Sequence, residues 1–507
     1  MNNNDLGIIL KGNVPIIVLE TYDEHMALQW LAGYVGQTGG TGCRWTHTDG
    51  LGPLAYGVEL QNADELCDPK AALAYVKNQY GKQLFVFCDV HPFLDEPKIV
   101  RYMKDIALTA RSKEQKLVLI SHAITLPPEL VRFSARVSLS MPNDDEILSL
   151  IREEARAWSH KHKAGRIRTD SVTMQKLVSN LRGLPHHDVR RLAHGAIADD
   201  GAITEDDLPK LTKAKFELMN MEGILHFEYS VEHLNNVAGL PNLKAWLDDR
   251  KDAMTKYTAT NYQGQGHQGQ GHEGQVVFDS PKGVLLFGVQ GGGKSLAAKS
   301  IAGVWGMPLL RLDMAALFNK YIGETEKNLR EALTLADLMS PCVLWIDELE
   351  KGLAQEGGDN AIGQRLLGTL LTWMAERKSH VFIVATSNDV SQLPPELMRK
   401  GRFDEIFFID LPTEEVRAII FRIHLVKRDI DPMTFNLAYL AEISDGFTGA
   451  EIEQTIVSAT YRAAAAQELV TQILLEQAIQ KTQPLSVVMS ERIDALREWS
   501  SSRAVYA

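Results

Sequence analysis

The sequence predicts an α/β fold used twice, each copy followed by a helical unit. Three observations carry that expectation. Strand-length apolar runs alternate with helical stretches over residues 1–143, and the pattern returns over 279–412. Mainly helical stretches follow, at 144–222 and from 413 to about 482. A glycine-rich loop, "GVQGGGKS" (Gly288–Ser295), joins a strand run to a helical run in the second block.

In chain order, "VPIIVLE" (14–20), "QLFVFCDV" (83–90), "KLVLISHA" (116–123) and "ARVSLSMP" (135–142) read as near-continuous apolar strands. Such strands are buried on both faces, so the sheet should be parallel with helices on each side. "DDEILSLIREEARAWSHKHKA" and "MQKLVSNLRGLPHHDVRRLAHGAIA" then read as helical. A connecting segment, 223–258, leads to "ATNYQGQGHQGQGHEGQV" (259–276). That Gly/Gln/His stretch cannot bury a core and is expected to be a mobile loop. Its His267 and His272 stand on a glycine-rich coil, which gives no fixed metal geometry. The second α/β block, 277–412, holds "GVLLFGV", "LLRLDM", "CVLWIDEL", "VFIVATSN" and "EIFFIDLP". A helical unit, 413–485, and a C-terminal helix and tail, 486–507, complete the expected layout. The two blocks align loosely, best at a shared "LPPEL" (126–130 and 393–397), which suggests an internal duplication; coincidence is the alternative.

Composition narrows the function classes. The 507 residues are 45% hydrophobic and 23% charged, enough for sizeable cores in two to four domains. A net charge of -12 offers no chain-wide footprint for nucleic acid or an anionic membrane. Cys43, Cys67, Cys88 and Cys342 lack metal-ligand spacing and read as thiols in a reducing compartment. The N-terminus has no basic segment followed by a long apolar run, so no signal peptide is expected. No run of 18 apolar residues suggests a transmembrane helix. The expected location is the cytoplasm.

The chemistry concentrates in the second block. A loop that wraps phosphate needs glycines to curl its backbone and a helix N-terminus aimed at the anion. Gly288, Gly293, Lys294 and Ser295 occupy the required positions of G-x-x-x-x-G-K-S. Lys294 would meet the β- and γ-phosphates of ATP, and Ser295 would hold Mg²⁺. The strand "CVLWI" ends in Asp347 and Glu348. A carboxylate at a strand's C-terminal edge suits Mg²⁺, and the next one can polarise water. Taken alone, the pair could be an ordinary solvated strand end. Asn388 ends another buried strand and could help place that water. Arg399 and Arg402 flank Gly401 on a turn and, taken alone, could be surface charge.

Taken together, residues 229 to about 485 resemble the AAA family of ATPases. "GVQGGGKS" is similar to its Walker A loop, "VLWIDE" to Walker B and "ATSN" to sensor 1. The resemblance adds Gln290, Gly291, Gly292 and Leu296 to the nucleotide-binding set. "PPELMRKGRFDE" resembles the region whose arginines act on a neighbouring subunit's nucleotide. "FRIHL" with His424 and "FTGAEI" with Gly449 and Ala450 resemble lid motifs near adenine and ribose. "VEHLNNVAGLPNLKAWL", with Ala238, resembles the segment that touches adenine. Gln290 replaces a common proline, and the Gly/Gln/His insertion is long; neither removes a catalytic group. Within the family, "GVQGGGKSLAAKSIA" and "QPLSVVMSERIDALREW" resemble the AAA proteins of cyanobacteria, plastids and other bacteria.

The resemblance implies a P-loop NTPase (AAA+) three-layer parallel-sheet core with a helical lid. A degenerate ATPase-like α/β domain with its own helical subdomain precedes it. The first block agrees. "VPIIVLETYDEHMALQW" stands where a first Walker A would be, without glycine or lysine, and Asp89 is followed by Val90 rather than glutamate.

If the arginines act in trans, the chain must assemble, and the family implies a homohexamer. An arginine finger is worth roughly 10³–10⁵ in rate in other nucleotide hydrolases. The resemblance also puts Tyr321, Ile322 and Gly323 on a loop facing a ring pore, where they could grip a protein client; packing of Tyr321 in the core is the alternative. A zinc protease is not expected, because "HEGQV" lacks the second histidine of H-E-x-x-H. The leading expectation is an ATP-driven protein remodeller or unfoldase. A nucleotide-controlled scaffold is the second reading, and a nucleic-acid motor, disfavoured by charge, the third.

Overall fold

Residues 14–20 and 281–288 each begin a parallel sheet, and the two sheets share one plan. The computed structural model describes residues 3–21, 23–54, 66–138, 141–162, 167–198, 201–219, 224–229, 237–260, 280–314, 316–317, 324–353, 360–399 and 401–507. The chain divides into two units. The first comprises Met1–Arg168 with Leu181–Ile203, and the second Thr169–Asn180 with Thr204–Ala507.

The first unit holds β1 (Ile16–Glu20), β2 (Thr41–Thr46), β3 (Gly50–Pro53), β4 (Gln83–Cys88), β5 (Gln115–Ser121) and β6 (Ser134–Ser138). Their order across the sheet is β3-β2-β4-β5-β1-β6, all parallel except the β2–β3 pair. Alternation along the strands serves both faces. Ile16, Val18, Phe85, Phe87, Leu117 and Leu119 pack under the helices Pro69–Asn78 and Pro97–Lys113. Ile17, Leu19, Val86, Val118 and Ile120 pack under the helix Glu24–Thr38. The helices Asp144–His162 and His186–Ala198 also belong to this unit.

The second unit holds β7 (Leu225–Glu228), β8 (Gly283–Gly288), β9 (Leu309–Asp313), β10 (Cys342–Asp347), β11 (Val381–Ser387), β12 (Glu405–Ile409) and β13 (Val505–Tyr506). The order is β13-β12-β8-β11-β10-β9-β7, with only β7 antiparallel. One face packs on the helices Glu324–Leu338 and Asn360–Glu376, the other on Pro241–Thr260 and Lys294–Trp305. Four helices between Glu414 and Lys481 close a separate apolar core around Phe421, Leu425, Ile452, Ile456 and Leu475. The buried Lys215 ammonium donates to the carbonyls of Asn180 (2.8 Å) and Leu338 (2.6 Å). It thereby ties the helices Ser171–Leu181 and Asp207–Met219 to the core.

Without edge strands, the sheets read β2-β4-β5-β1-β6 and β9-β10-β11-β8-β12. Counting strands within each unit, both are second, third, fourth, first, fifth. Both carry an antiparallel edge strand on the second strand, and "LPPEL" precedes the fifth strand in each. The shared order supports the duplication that the loose alignment suggested. Among the described residues, no helix is long and apolar enough to cross a membrane.

Candidate active site

The phosphate-type loop leaves the C-terminal end of β8. Gly288 has φ 147°, and a Cβ there would stand 2.0 Å from the Ile409 carbonyl oxygen, so only glycine lets β8 lie this close to β12. Gly291, at φ 77°, is approached from the lid; a Cβ would lie 3.0 Å from Thr448 Oγ1 and 3.2 Å from Ala450 Cβ. The helix Lys294–Trp305 starts directly after Gly293, and no side chain caps it. Its first N–H groups are therefore left for an anion. Lys294 is 8% exposed, and its ammonium donates to the carbonyls of Gly288 and Val289, both at 3.0 Å. Burial pulls its pKa down to about 8, while Glu350, Asp347 and Glu348 pull it up.

The acidic side is built by the ends of β10 and β11. Thr386 Oγ1 donates to Asp347 Oδ1 at 2.8 Å and accepts the Glu348 N–H at 3.2 Å. Arg311, on β9, donates to Asp347 Oδ2 at 2.8 Å. Glu348 takes φ 48°, which turns the chain out of the strand at the point where the carboxylate is presented. Asn388 Nδ2 donates to Glu348 Oε1 at 3.1 Å, and Lys351 pairs with Glu348 Oε2 at 2.5 Å. That lysine pair is exposed and adds little to stability.

The loop and the strand-end groups Asp347, Glu348, Thr386 and Asn388 face one cavity of about 780 Å³. Its floor carries Gln290 to Leu296, including the exposed hydroxyl of Ser295, together with Asp347, Glu348 and Asn388. Ala238, with Val237 and Leu240, forms one wall; His424, Gly449 and Ala450 stand on the lid side. The apolar lid residues Ile420 and Ile423 complete a slot with the chemistry of a base pocket. Glu453 Oε1 lies 3.4 Å from His424 Nδ1 and accepts from Arg428 at 2.9 Å. Burial holds the His424 imidazole below its ordinary value, against the pull of Glu453.

Three family models match. The model for the ATPase family associated with various cellular activities (AAA) covers residues 284–411. Those for the N-terminal and second domains of SpoVK-like AAA ATPases cover 2–139 and 145–222. The AAA domain-containing protein ycf46 of Pyropia yezoensis is 32% identical over 506 residues, 98% of this chain and 97% of that one. The chain belongs to the ycf46 family of AAA domain-containing proteins. The ycf46 protein of Guillardia theta is 33% identical over 508 residues, covering 98% of this chain and 94% of its own. A proteasome-activating nucleotidase from Aeropyrum pernix is 35% identical over 191 residues, 36% of this chain and 46% of that one. Membership of the AAA ATPase family carries nucleotide binding with it.

Among the predicted residues that the structure describes, this ycf46-family chain keeps Arg399 and Arg402 away from the cavity, and Gly288, at the base of the loop, is also outside its lining. The arginine turn is fastened at the opposite end of β8. Asp404 accepts the N–H groups of Lys282 (2.6 Å) and Gly283 (3.0 Å), and Gly401 O accepts from Lys282 Nζ at 3.0 Å. The six residues of β8 put about 16 Å between that end and the phosphate loop. Arg402 donates to the Leu371 carbonyl at 2.6 Å. Arg399 is exposed, and among the described residues its guanidinium has no ion pair or hydrogen bond. Tyr321, Ile322 and Gly323 lie outside the described residues, as do His267 and His272.

Sequence reasoning missed Thr386, Glu350, Arg311 and Thr448. Thr386 was within reach: it stands two residues before Asn388, on the same side of the strand. Arg311 had a signal too, as the one charge inside the apolar run "LLRL".

The first unit has the scaffold of this site without its contents. Three residues separate the end of β1 at Glu20 from its helix at Glu24, against five between Gly288 and Lys294. Asp23 caps that helix, accepting the Met26 N–H at 3.0 Å, so a carboxylate already occupies the anion position. One sequence expectation needs correcting. Asp89, not Val90, stands where Glu348 stands: each follows the last residue of its strand, at φ 51° and 48°. Cys88 therefore takes the place of Asp347. The apolar run hid the register, because only the backbone turn fixes which residue leaves the strand. Asp89 is tied to Ser121 Oγ at 2.8 Å.

Proposed function

We propose that this chain is a Mg-ATP-hydrolysing AAA+ ATPase that works as a ring-forming protein remodeller. The observation that carries the reading is the Asn388–Glu348 bond at 3.1 Å, above a floor that also presents Lys294. An amide that orients a carboxylate is what a glutamate needs to polarise an attacking water. The glycine-shaped loop and the uncapped helix fit a triphosphate. Ser295 and Asp347 line the same cavity and would hold Mg²⁺, which when bound supplies positive charge at the phosphate oxygens. Thr386 and Arg311 orient Asp347, and the lid brings His424, Gly449 and Ala450 over the loop.

The arginine turn supports shared sites. At the far end of β8, Arg399 cannot reach the cavity of its own chain, so a finger role requires a neighbour, most simply in a homohexamer. A protein client is the proposed partner. The family likeness to a proteasome-activating nucleotidase supports that choice. The cytoplasm is the proposed compartment.

The test is ATPase rate per subunit against protein concentration, for wild type, Glu348→Gln and Arg399→Ala. The expected result is a rate that rises with concentration and is lost in both variants. A rate independent of concentration and retained in Arg399→Ala would remove the trans finger and favour a nucleotide-controlled scaffold.

A further inference from the structure

Glu350 is a buried acid that the reading above does not use. It sits in the short helix Leu349–Leu353 just after β10 and is 4% exposed. Its Oε1 accepts the backbone N–H of Asn388 at 3.0 Å. Its Oε2 has no hydrogen-bond partner, and neither oxygen has an ion pair, among the described residues.

A carboxylate buried without a bonded cation is unfavourable, and one backbone N–H does not offset that cost. Packing alone would be better served by leucine or methionine. Glu350 adds to the negative charge that acts on Lys294, and its one hydrogen bond puts it at Asn388 as well. β11 ends at Ser387, so Asn388 is the first residue beyond the sheet ladder. Its N–H has no strand partner there, and Glu350 takes that place. The side chain of the same residue reaches Glu348 Oε1 at 3.1 Å. Asn388 is thus held at its backbone by one glutamate while its amide holds another, two positions earlier in the chain.

We propose that Glu350 is a positioning residue for hydrolysis: it fixes the Asn388 main chain so that the Asn388 amide keeps Glu348 aimed into the cavity. The proposal rests on the hydrolysis reading above. It gives "DELE" three separate duties: Asp347 faces the metal position, Glu348 the water, and Glu350 the residue that aligns Glu348.

The experiment uses the full chain. It measures kcat and KM for ATP, Kd for a fluorescent ATP analogue, and thermal midpoint, in wild type, Glu350→Gln, Glu350→Ala, Asn388→Ala and the Glu350→Ala/Asn388→Ala double variant. Glutamine keeps an oxygen for the Asn388 N–H, and alanine does not. The expected result for Glu350→Ala is a loss of about 10–100-fold in kcat, as for a misplacement near 1 Å, with Kd nearly unchanged. Glu350→Gln should retain most of kcat. The double variant should be no slower than Asn388→Ala alone.

Four results would overturn the proposal. One is wild-type kcat in Glu350→Ala. Another is a Glu350→Ala loss that adds to that of Asn388→Ala. A third is equal loss in Glu350→Gln, which would mean that the charge acts. The fourth is a rise in Kd in step with a fall in thermal midpoint, which would mean a structural role. A wild-type chain that binds the analogue but never hydrolyses ATP would sink the hydrolysis reading, and this proposal with it.

Discussion

Thr386 Oγ1 donates to Asp347 Oδ1 at 2.8 Å while accepting the backbone N–H of Glu348 at 3.2 Å. One buried hydroxyl therefore sets two successive acidic residues. Thr386→Val keeps the shape and removes both bonds. An N–H left unpaired costs about 1–3 kcal/mol, so the thermal midpoint should fall. The ATPase rate should fall as well, more steeply than nucleotide affinity, because Lys294 and the loop are untouched. Calorimetry and steady-state kinetics check both outcomes.

Gly291→Ala tests the approach of the lid to the loop. At φ 77° an alanine is strained by about 1–2 kcal/mol, and its Cβ would press on Thr448 and Ala450. The expected outcome is weaker ATP binding, read by titration with a fluorescent analogue, with the first unit unaffected.

Arg402→Ala and Arg399→Ala should separate. Arg402 is bonded to Leu371 O, so its loss should cost stability, about 1.5–3 kcal/mol for a bond from a charged donor, besides any loss of rate. Arg399→Ala should leave the thermal midpoint alone and lower the rate by about 10³-fold or more. Denaturant melts alongside ATPase assays distinguish the two.

His424 gives a pH signature. Burial depresses its pKa in the folded chain, so the unfolded chain binds the proton first as pH falls. The neutral form's advantage is present above the ordinary histidine pKa. It is lost as pH falls through that value, and the loss levels off below the folded pKa. Glu453, Arg428 and Lys427 face the ring, and only Glu453 favours the proton. Thermal midpoints of His424→Gln should therefore drop less than wild type between pH 7 and about 5. Equal drops would remove the effect.

Nucleotide stoichiometry tests the first unit. The Asp23 carboxylate already caps the helix N-terminus that a phosphate would need. Titration calorimetry should find one ATP per chain. Asp23→Ala should cost about 1 kcal/mol as a lost helix cap and leave ATPase activity in place.

Much of the fold was legible because buried parallel strands announce themselves. "LLF", "VLWI" and "VFIVA" are runs that water would not tolerate. β2, "TGCRWT", was not legible, since glycine, threonine and arginine mask a strand in which only Gly42 and Trp45 are buried. β13 is two residues long and has no signature; its pairing with β12 makes it a strand. In the site, the loop lysine and strand-end acids follow a spacing that chemistry requires, and the cavity gathers them. Glu350 cannot be told in the sequence from a solvated acid, because burial is a tertiary fact. The tie from Arg402 to Leu371 spans 31 positions and leaves no local trace.

The interior strand β8 never pairs with the strand that follows it. Its partners are β11, where Gly283 meets Ile383, and β12, where Gly288 meets Ile409. On a ribosome, the phosphate loop thus emerges more than a hundred residues before the backbone that shapes it. A nascent chain that has not yet delivered Ile409 has Walker A in its sequence and no nucleotide site in space. The order of synthesis then becomes a timer: ATP can be captured only after the fifth strand arrives, when little of the catalytic sheet remains to be made.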